Sequence, residues 1–262
     1  MASPRRAPLV LACLLGAAAL ASAFEPPRIL VELFVMSRCP DARRCEERME
    51  ALVQRIGPLL DMRTVYIADV GSDKRLKQVT CKHGPAECAG DAQQLCAAAY
   101  GRTDGAPGEP ADPYALGWRF LQCQNDDFAS VGDVQLAEKC LEVAGFNSTQ
   151  AAGAIGCWAG KEGDRLLYAS ASEASWRRVA KSCTIYVDRL YRCTHDGATW
   201  YDCPGGSEVD DFVATVCAAY ADAGGDWPQD LCGPAPDPET RAHLRLGGRG
   251  EGAEQQAATV EA

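Results

Sequence analysis

Beyond residue 20 the sequence has no apolar run long enough to cross a bilayer, which takes roughly 20 residues. It also lacks a surplus of basic residues: 26 Lys and Arg stand against 36 Asp and Glu. The first absence excludes a membrane-spanning helix in the body of the chain. The second makes nucleic acid and anionic membranes poor partners. No internal repeat is visible, no cofactor is called for, and no Lys-Asp-Glu-Leu signal stands at Thr259-Val260-Glu261-Ala262. One further absence is local. Three residues after Cys39, where a redox pair would place its second thiol, stands Ala42.

What the chain has in quantity is cysteine, 14 in all. Arg5 and Arg6 precede an apolar run from Leu9 to Leu20 and the small residues Ala21-Ser22-Ala23. That is the pattern of a cleaved signal peptide, and cleavage is expected after Ala23. Export would place the chain outside the cell or in an endolysosomal or vacuolar lumen, where disulfides persist. Removal of Cys13 leaves 13 of the 14 cysteines. The odd number leaves at least one thiol without an internal partner.

Ile29 to Met36 is almost continuously apolar and suits a buried strand. From Pro40 to Ile56 the apolar residues Cys45, Met49, Leu52, Val53 and Ile56 recur at helical spacing. Pro40 fits a first helical turn and Gly57-Pro58 a helix end. Residues 61–70 read as a second strand, so the order is βαβ and the fold class α/β. The middle, about 81–172, is helical in composition and holds Cys81, Cys88, Cys96, Cys123, Cys140 and Cys157. It reads as a helical insertion pinned by disulfides, broken by a Gly-, Pro- and Asp-rich loop at 101–113. Residues 182–192 form a strand with a turn near Asp188-Arg189, and Asp196-Gly197 is a hairpin signal. Residues 210–220 are a last helix. From residue 233 the Pro-, Gly- and Glu-rich tail is expected to be disordered.

Cys39 stands between a strand and a helix that opens with proline. A thiol at a helix N-terminus faces unpaired N–H groups and the positive end of the dipole, which favour the reactive thiolate. Arg38, Arg43 and Arg44 add positive charge nearby. Cys39 is therefore the candidate nucleophile, against the alternative of a structural cysteine. Cys45 lies roughly 9 Å farther along the helix axis, beyond the span of about 7 Å that a disulfide bridges. It falls on the apolar stripe and reads as a buried core thiol.

Cys81, His83, Cys88 and Cys96 could be drawn as a zinc site, but their spacing matches no common zinc module, and no metal is expected. His83-Gly84 reads as a turn and Glu87 as a solvated carboxylate. These residues do resemble a known signature, C-Q-H-G-x2-E-C-x2-N-x4-C, that of the gamma-interferon-inducible lysosomal thiol reductase family. Here it runs Cys81-Lys82-His83-Gly84, then Glu87-Cys88, Asp91 and Cys96. Lys82 replaces Gln and Asp91 replaces Asn. The resemblance extends over most of residues 28–232 through Phe120-Leu121-Gln122-Cys123, Cys140, Cys157, Val216-Cys217-Ala218-Ala219-Tyr220 and Cys232.

The resemblance implies a thioredoxin-like domain with a helical insertion, spanning 24–232 after the signal peptide. It implies reduction of protein disulfides at acidic pH by a Cys-x-x-Cys pair, with disulfide-containing proteins and a thiol reductant as partners. Cys39 matches the nucleophile, and Ala42 departs from the resolving cysteine. Where thioredoxin-like folds carry a cis-proline against the active site, the sequence has Ser182-Cys183-Thr184. Cys183 is accordingly a candidate partner for Cys39, with pairing elsewhere the alternative. Cys193 with Cys203, and Cys217 with Cys232, are expected to bridge a hairpin and to close the last helix onto its loop. Asn147-Ser148-Thr149 is a glycosylation sequon. Trp158, Trp176 and Trp200 read as core or rim residues. A non-catalytic secreted binding module on the same fold is the alternative to an enzyme.

Overall fold

The structure is a computed structural model; it describes residues 28–72, 78–102 and 115–246. The expected signal peptide with its Cys13, the 103–113 part of the expected loop and the end of the tail from 247 lie outside the described residues. Strand β1 (Ile29–Val35) leads into helix α1 (Pro40–Ile56), then β2 (Leu60–Tyr66), with two-residue strands β3 (Asp69–Val70) and β4 (Val79–Thr80) beyond it. The strand expected over 61–70 is thus split after Tyr66. Helices α2 (Pro85–Tyr100), α3 (Ala115–Asp126), α4 (Val134–Ala144), α5 (Ser148–Trp158) and α6 (Lys161–Trp176) make the insertion, which ends four residues later than expected. The chain returns as β5 (Thr184–Val187), β6 (Leu190–Asp196) and β7 (Thr199–Tyr201), followed by α7 (Val209–Asp222), α8 (Gln229–Cys232) and α9 (Pro238–Leu246).

The sheet order is β2-β1-β5-β6-β7. β1 runs parallel to β2 in the register Ile29↔Leu60 to Val35↔Tyr66, and antiparallel to β5, with Phe34 opposite Thr184. A parallel βαβ pair joined edge to edge with an antiparallel hairpin, and closed by a helix, is the thioredoxin-like arrangement. The interior position of β1, between β2 and β5, goes with its apolar run: strands covered on both faces need no polar alternation. Val31, Leu33 and Val35 face α1 and α7 in the larger core. Phe34 points the other way, onto Ala174 and Val179 beside α6. The sheet is therefore covered by helices on both sides.

Both hairpin turns are two residues long. Asp188 and Arg189 have φ of 49° and 65°, and Gly197 and Ala198 of 61° and 62°. Left-handed values at both central positions are what the twist of a two-residue hairpin demands. The tail departs from expectation over 238–246, which is helical. Asp237 supplies the start: its Oδ1 accepts the backbone N–H groups of Glu239 and Thr240, each at 3.0 Å, and the helix packs on α7. Trp176 is no core residue, being 82% exposed, while Trp158 and Trp200 are half-buried. No helix among the described residues is long and apolar enough to cross a membrane.

Candidate functional site

Cys39 is the N-cap of α1, with φ −87° and ψ 125°, and Pro40 follows at the first helical position. Its carbonyl accepts the first helical hydrogen bond, from Arg43 N at 3.2 Å, and no side chain caps the helix. The thiol is buried, at 7% exposure, and its Sγ lies 3.9 Å from the Ser182 carbonyl, toward which it donates. Among the 13 cysteines of the described residues, Cys39 alone is unpaired. Ala42 lies one turn on, also buried.

The short loop that delivers Cys39 is gripped from three sides. Met36 N donates to Ser182 Oγ at 3.0 Å. Ser37 N donates to Asp91 Oδ1 at 2.9 Å, and Ser37 Oγ donates to the Glu87 carbonyl at 3.1 Å. Arg38 donates to the carbonyls of Ala129, at 3.0 Å, and Val131. Cys39 N closes a turn onto Met36 O at 2.9 Å. Gly90 permits this approach: a Cβ there would stand 2.7 Å from Ser37 Oγ and 2.6 Å from Val131 Cγ1.

The signature residues thus build the wall behind the loop. Cys81 is bonded to Cys88 and Cys96 to Cys157, so none of the three is available to zinc. Gly84 starts α2 at φ +87°, a conformation that suits glycine. Glu87 is not a solvated carboxylate. It is fully buried, accepting the backbone N–H of His83 at 3.0 Å and pairing with the His83 Nδ1.

Cys183 does not stand free as a partner for Cys39. It is bonded to Cys45, with the two Cα atoms 6.2 Å apart, which also corrects the reading of Cys45 as a core thiol. Cys45 lies on the α1 stripe that faces β5, and the two buried cysteines meet there. Cys183 exchanges both backbone hydrogen bonds with His195, at 2.8 and 2.9 Å, and the Ser182–Cys183 peptide is cis. The remaining bridges are Cys123–Cys140, Cys193–Cys203 and Cys217–Cys232.

Several site residues carried no role in the sequence reading. Asp41 ties the first turn of α1 to the β6–β7 hairpin. Its carboxylate accepts Gly197 N and Ala198 N, each at 3.0 Å, and lies 3.0 Å from His195 Nδ1. Burial pushes the imidazole's pKa down; Asp41 opposes this and Arg44 and Arg48 reinforce it. Glu46 is fully buried on α1. Its Oε2 accepts Asn125 Nδ2 at 2.7 Å, and its Oε1 has no partner. Burial raises its pKa to about 7, opposed by Asn125 and reinforced by Glu47. Its place on the apolar stripe, four residues from Ala42 and three from Met49, was the available signal. Among the described residues no group of three or more Cys, His, Asp or Glu could hold a metal ion.

No curated protein matches the sequence. Among solved structures, similar chains include reduced DsbA of Mycobacterium tuberculosis, at 13% identity and TM-score 0.47, covering 78% of this chain and 86% of that one. Reduced DsbG of the same organism aligns at 12% identity and TM-score 0.47, covering 78% and 82%. Reduced DsbA1 of Neisseria meningitidis aligns at 11% and TM-score 0.38, covering 88% and 87%. At these scores the likeness is remote. The sequence comparison is more specific, and it falls on the strand, the Cys39 loop and the signature helix just described. Residues 30–144 match the model of the gamma interferon inducible lysosomal thiol reductase (GILT) family.

Proposed function

We propose that the protein is an exported, single-thiol disulfide oxidoreductase acting through Cys39 on protein disulfides. The observation that carries this reading is that among the described residues one thiol is left over after six bridges, and it caps the helix that follows β1. The Cys39 thiolate attacks one sulfur of a substrate disulfide. A mixed disulfide forms and the other substrate sulfur leaves as thiolate, taking up a proton from water. With Ala42 one turn on and Cys45 and Cys183 bonded to each other, clearance falls to a small external thiol. A first such thiolate displaces the substrate from Cys39, and a second regenerates the Cys39 thiolate. One substrate disulfide is reduced and two external thiols become one disulfide.

The fit to an oxidising lumen, extracellular or endolysosomal, comes from the six bridges and the N-terminal signal pattern. The same location would expose the Asn147 sequon to glycosylation. Asn147 is exposed, and its Oδ1 caps α5 by accepting Gln150 N at 2.9 Å. That leaves the amide nitrogen for attachment.

Reduction of insulin by a small thiol, followed with and without the protein, tests the proposal. Cys39→Ser should return the rate to the uncatalysed one; a variant as active as the parent would overturn the assignment. The low exposure of Cys39 and the alanine at 42 favour one competing reading, a binding module without catalysis. Under that reading Cys39 resists iodoacetamide in the folded protein and is alkylated only on unfolding.

A further inference from the structure

Three carboxyl groups lie buried together behind the Cys39 loop: Glu87 and Asp91 on α2 and Glu46 on α1. Glu87 is taken up by His83 and Glu46 by Asn125. Asp91, at 0% exposure, accepts the backbone N–H of Ser37 on Oδ1, two residues before the thiol. Its Oδ2 lies 3.7 Å from Cys81 Sγ. That sulfur is bonded to Cys88 and carries no proton, so a hydrogen bond across this gap requires the proton to be on Asp91. Burial pushes the Asp91 carboxyl well up, opposed by the Ser37 contacts and reinforced by Glu87 and Glu46. The family signature has Asn at this position, a side chain of the same shape that cannot ionise. A protonated Asp91 reproduces it; an ionised one does not.

We infer that Asp91 is held as the neutral acid, that in this form it positions the Cys39 loop, and that loss of its proton disfavours the Cys39 thiolate. The inference rests on the reading of Cys39 as a nucleophile. A buried negative charge bonded to the backbone two residues away opposes a second negative charge on the sulfur. The groups facing Asp91 do not offset it. Glu87 and Glu46 are acidic, His83 is turned to Glu87, the Cys81–Cys88 bridge does not titrate, and Arg38 reaches the carbonyls of Ala129 and Val131 instead. Asp91 is thus a positioning residue whose ionisation restrains the thiol as pH rises.

The test compares the full chain with Asp91→Asn in the rate of Cys39 alkylation by iodoacetamide, from acid to mildly alkaline pH. At the acid end the two should coincide. At the alkaline end the variant should be about threefold faster, after allowance for the lower nucleophilicity of a more acidic thiol. Superimposed profiles, or a ratio constant with pH, overturn the coupling while leaving Cys39 as the nucleophile. A Cys39 inert in both proteins overturns both readings. An infrared measurement is independent of reactivity: the parent should show a protonated-carboxyl stretch at neutral pH that Asp91→Asn lacks. Identical spectra overturn the neutral acid whatever Cys39 does.

Discussion

Around the sheet the fully buried side chains are large: Leu33, Phe34, Met49, Leu52, Ile56, Ile185 and Phe212. In the insertion the second core consists of Ala97, Phe120, Leu136, Ala137, Cys140, Leu141, Ala144 and Ala154, half of them alanine. An alanine removes little apolar surface from water, and burial stabilises in proportion to that surface. The two regions therefore differ in the volume of their cores rather than in their bridges, of which each has three. The sheet unit rests on side-chain volume around β1, while the insertion's fully buried core is half alanine, with Phe146 and Trp158 packed against Phe120 at its edge, and depends more on its covalent bonds. Cys96–Cys157 spans 61 residues and joins α2 to α5; Cys123–Cys140 joins α3 to α4.

The two regions should respond most differently to loss of the long staple. By the loop-entropy relation, a bridge across 61 residues stabilises by about 4 kcal/mol. Replacing Cys96 and Cys157 together by alanine should lower stability by that amount. Hydrogen exchange should localise the loosening to α2–α6 and leave β1 and β5 protected. A global loss shared equally by the sheet would show that the insertion is no separate region.

The seam between the two regions gives the next effect. Glu46 on α1 meets α3 through Asn125 and, by its carbonyl, Gln122. Its pKa is raised by burial from 4.5 to about 7. The folded chain then binds a proton more tightly than the unfolded one. No penalty exists below about pH 4.5, and stability falls as pH rises toward and through 7. The full cost is about 3 kcal/mol. Urea midpoints at pH 5 and pH 8 should differ accordingly in the parent and much less in Glu46→Gln. A residual slope of the same sign is expected from Asp91, whose pKa is also raised. Equal slopes in parent and variant would remove Glu46 from the balance.

Much of the sheet unit was legible because its elements announce themselves locally: an apolar run for β1, a proline start and Gly-Pro end for α1, and Asp196-Gly197 for the second hairpin. The odd cysteine count required a leftover thiol but could not say which. The Cys45–Cys183 bridge was hidden, because Cys45 sits on an apolar stripe where a thiol and a half-cystine look alike. The inward turn of Glu87 was also hidden, since a carboxylate near a helix start usually faces water. Its burial follows from a tertiary fact, the packing of α2 against the Cys39 loop. The helix at 238–246 was lost in the tail's composition, although Asp237-Pro238 is a start signal of the kind used elsewhere in the chain.

Gly90 and Gly156 sharpen the contrast between seam and insertion. A Cβ at Gly90 meets two buried side chains at 2.6 and 2.7 Å, Val131 and Ser37, whereas one at Gly156 meets nothing within 4 Å. Gly90→Ala should cost about 2 kcal/mol through overpacking and should change the alkylation rate of Cys39 by displacing Ser37. Gly156→Ala should stabilise by up to about 1 kcal/mol through helix propensity and leave the thiol untouched. The pair of thermal melts and labelling rates separates a close approach that serves the site from a glycine that serves none.

The smallest effect lies at the far side of the insertion, where α5 begins. Asn147 and Gln150 form a reciprocal cap, Gln150 N to Asn147 Oδ1 at 2.9 Å and Asn147 N to Gln150 Oε1 at 3.1 Å. Asn147→Ala removes the first bond and should cost about 1 kcal/mol, while Asn147→Asp keeps an acceptor at the helix N-terminus and should cost less. Because α5 carries Cys157, the cap and the Cys96–Cys157 bridge act on the same helix. If the bridge already fixes α5, the alanine variant should lose little in the oxidised chain and more once both cysteines are replaced. A cost that is the same with and without the bridge would mean that α5 is set by its own local signals, and that the covalent bond acts only on the unfolded chain.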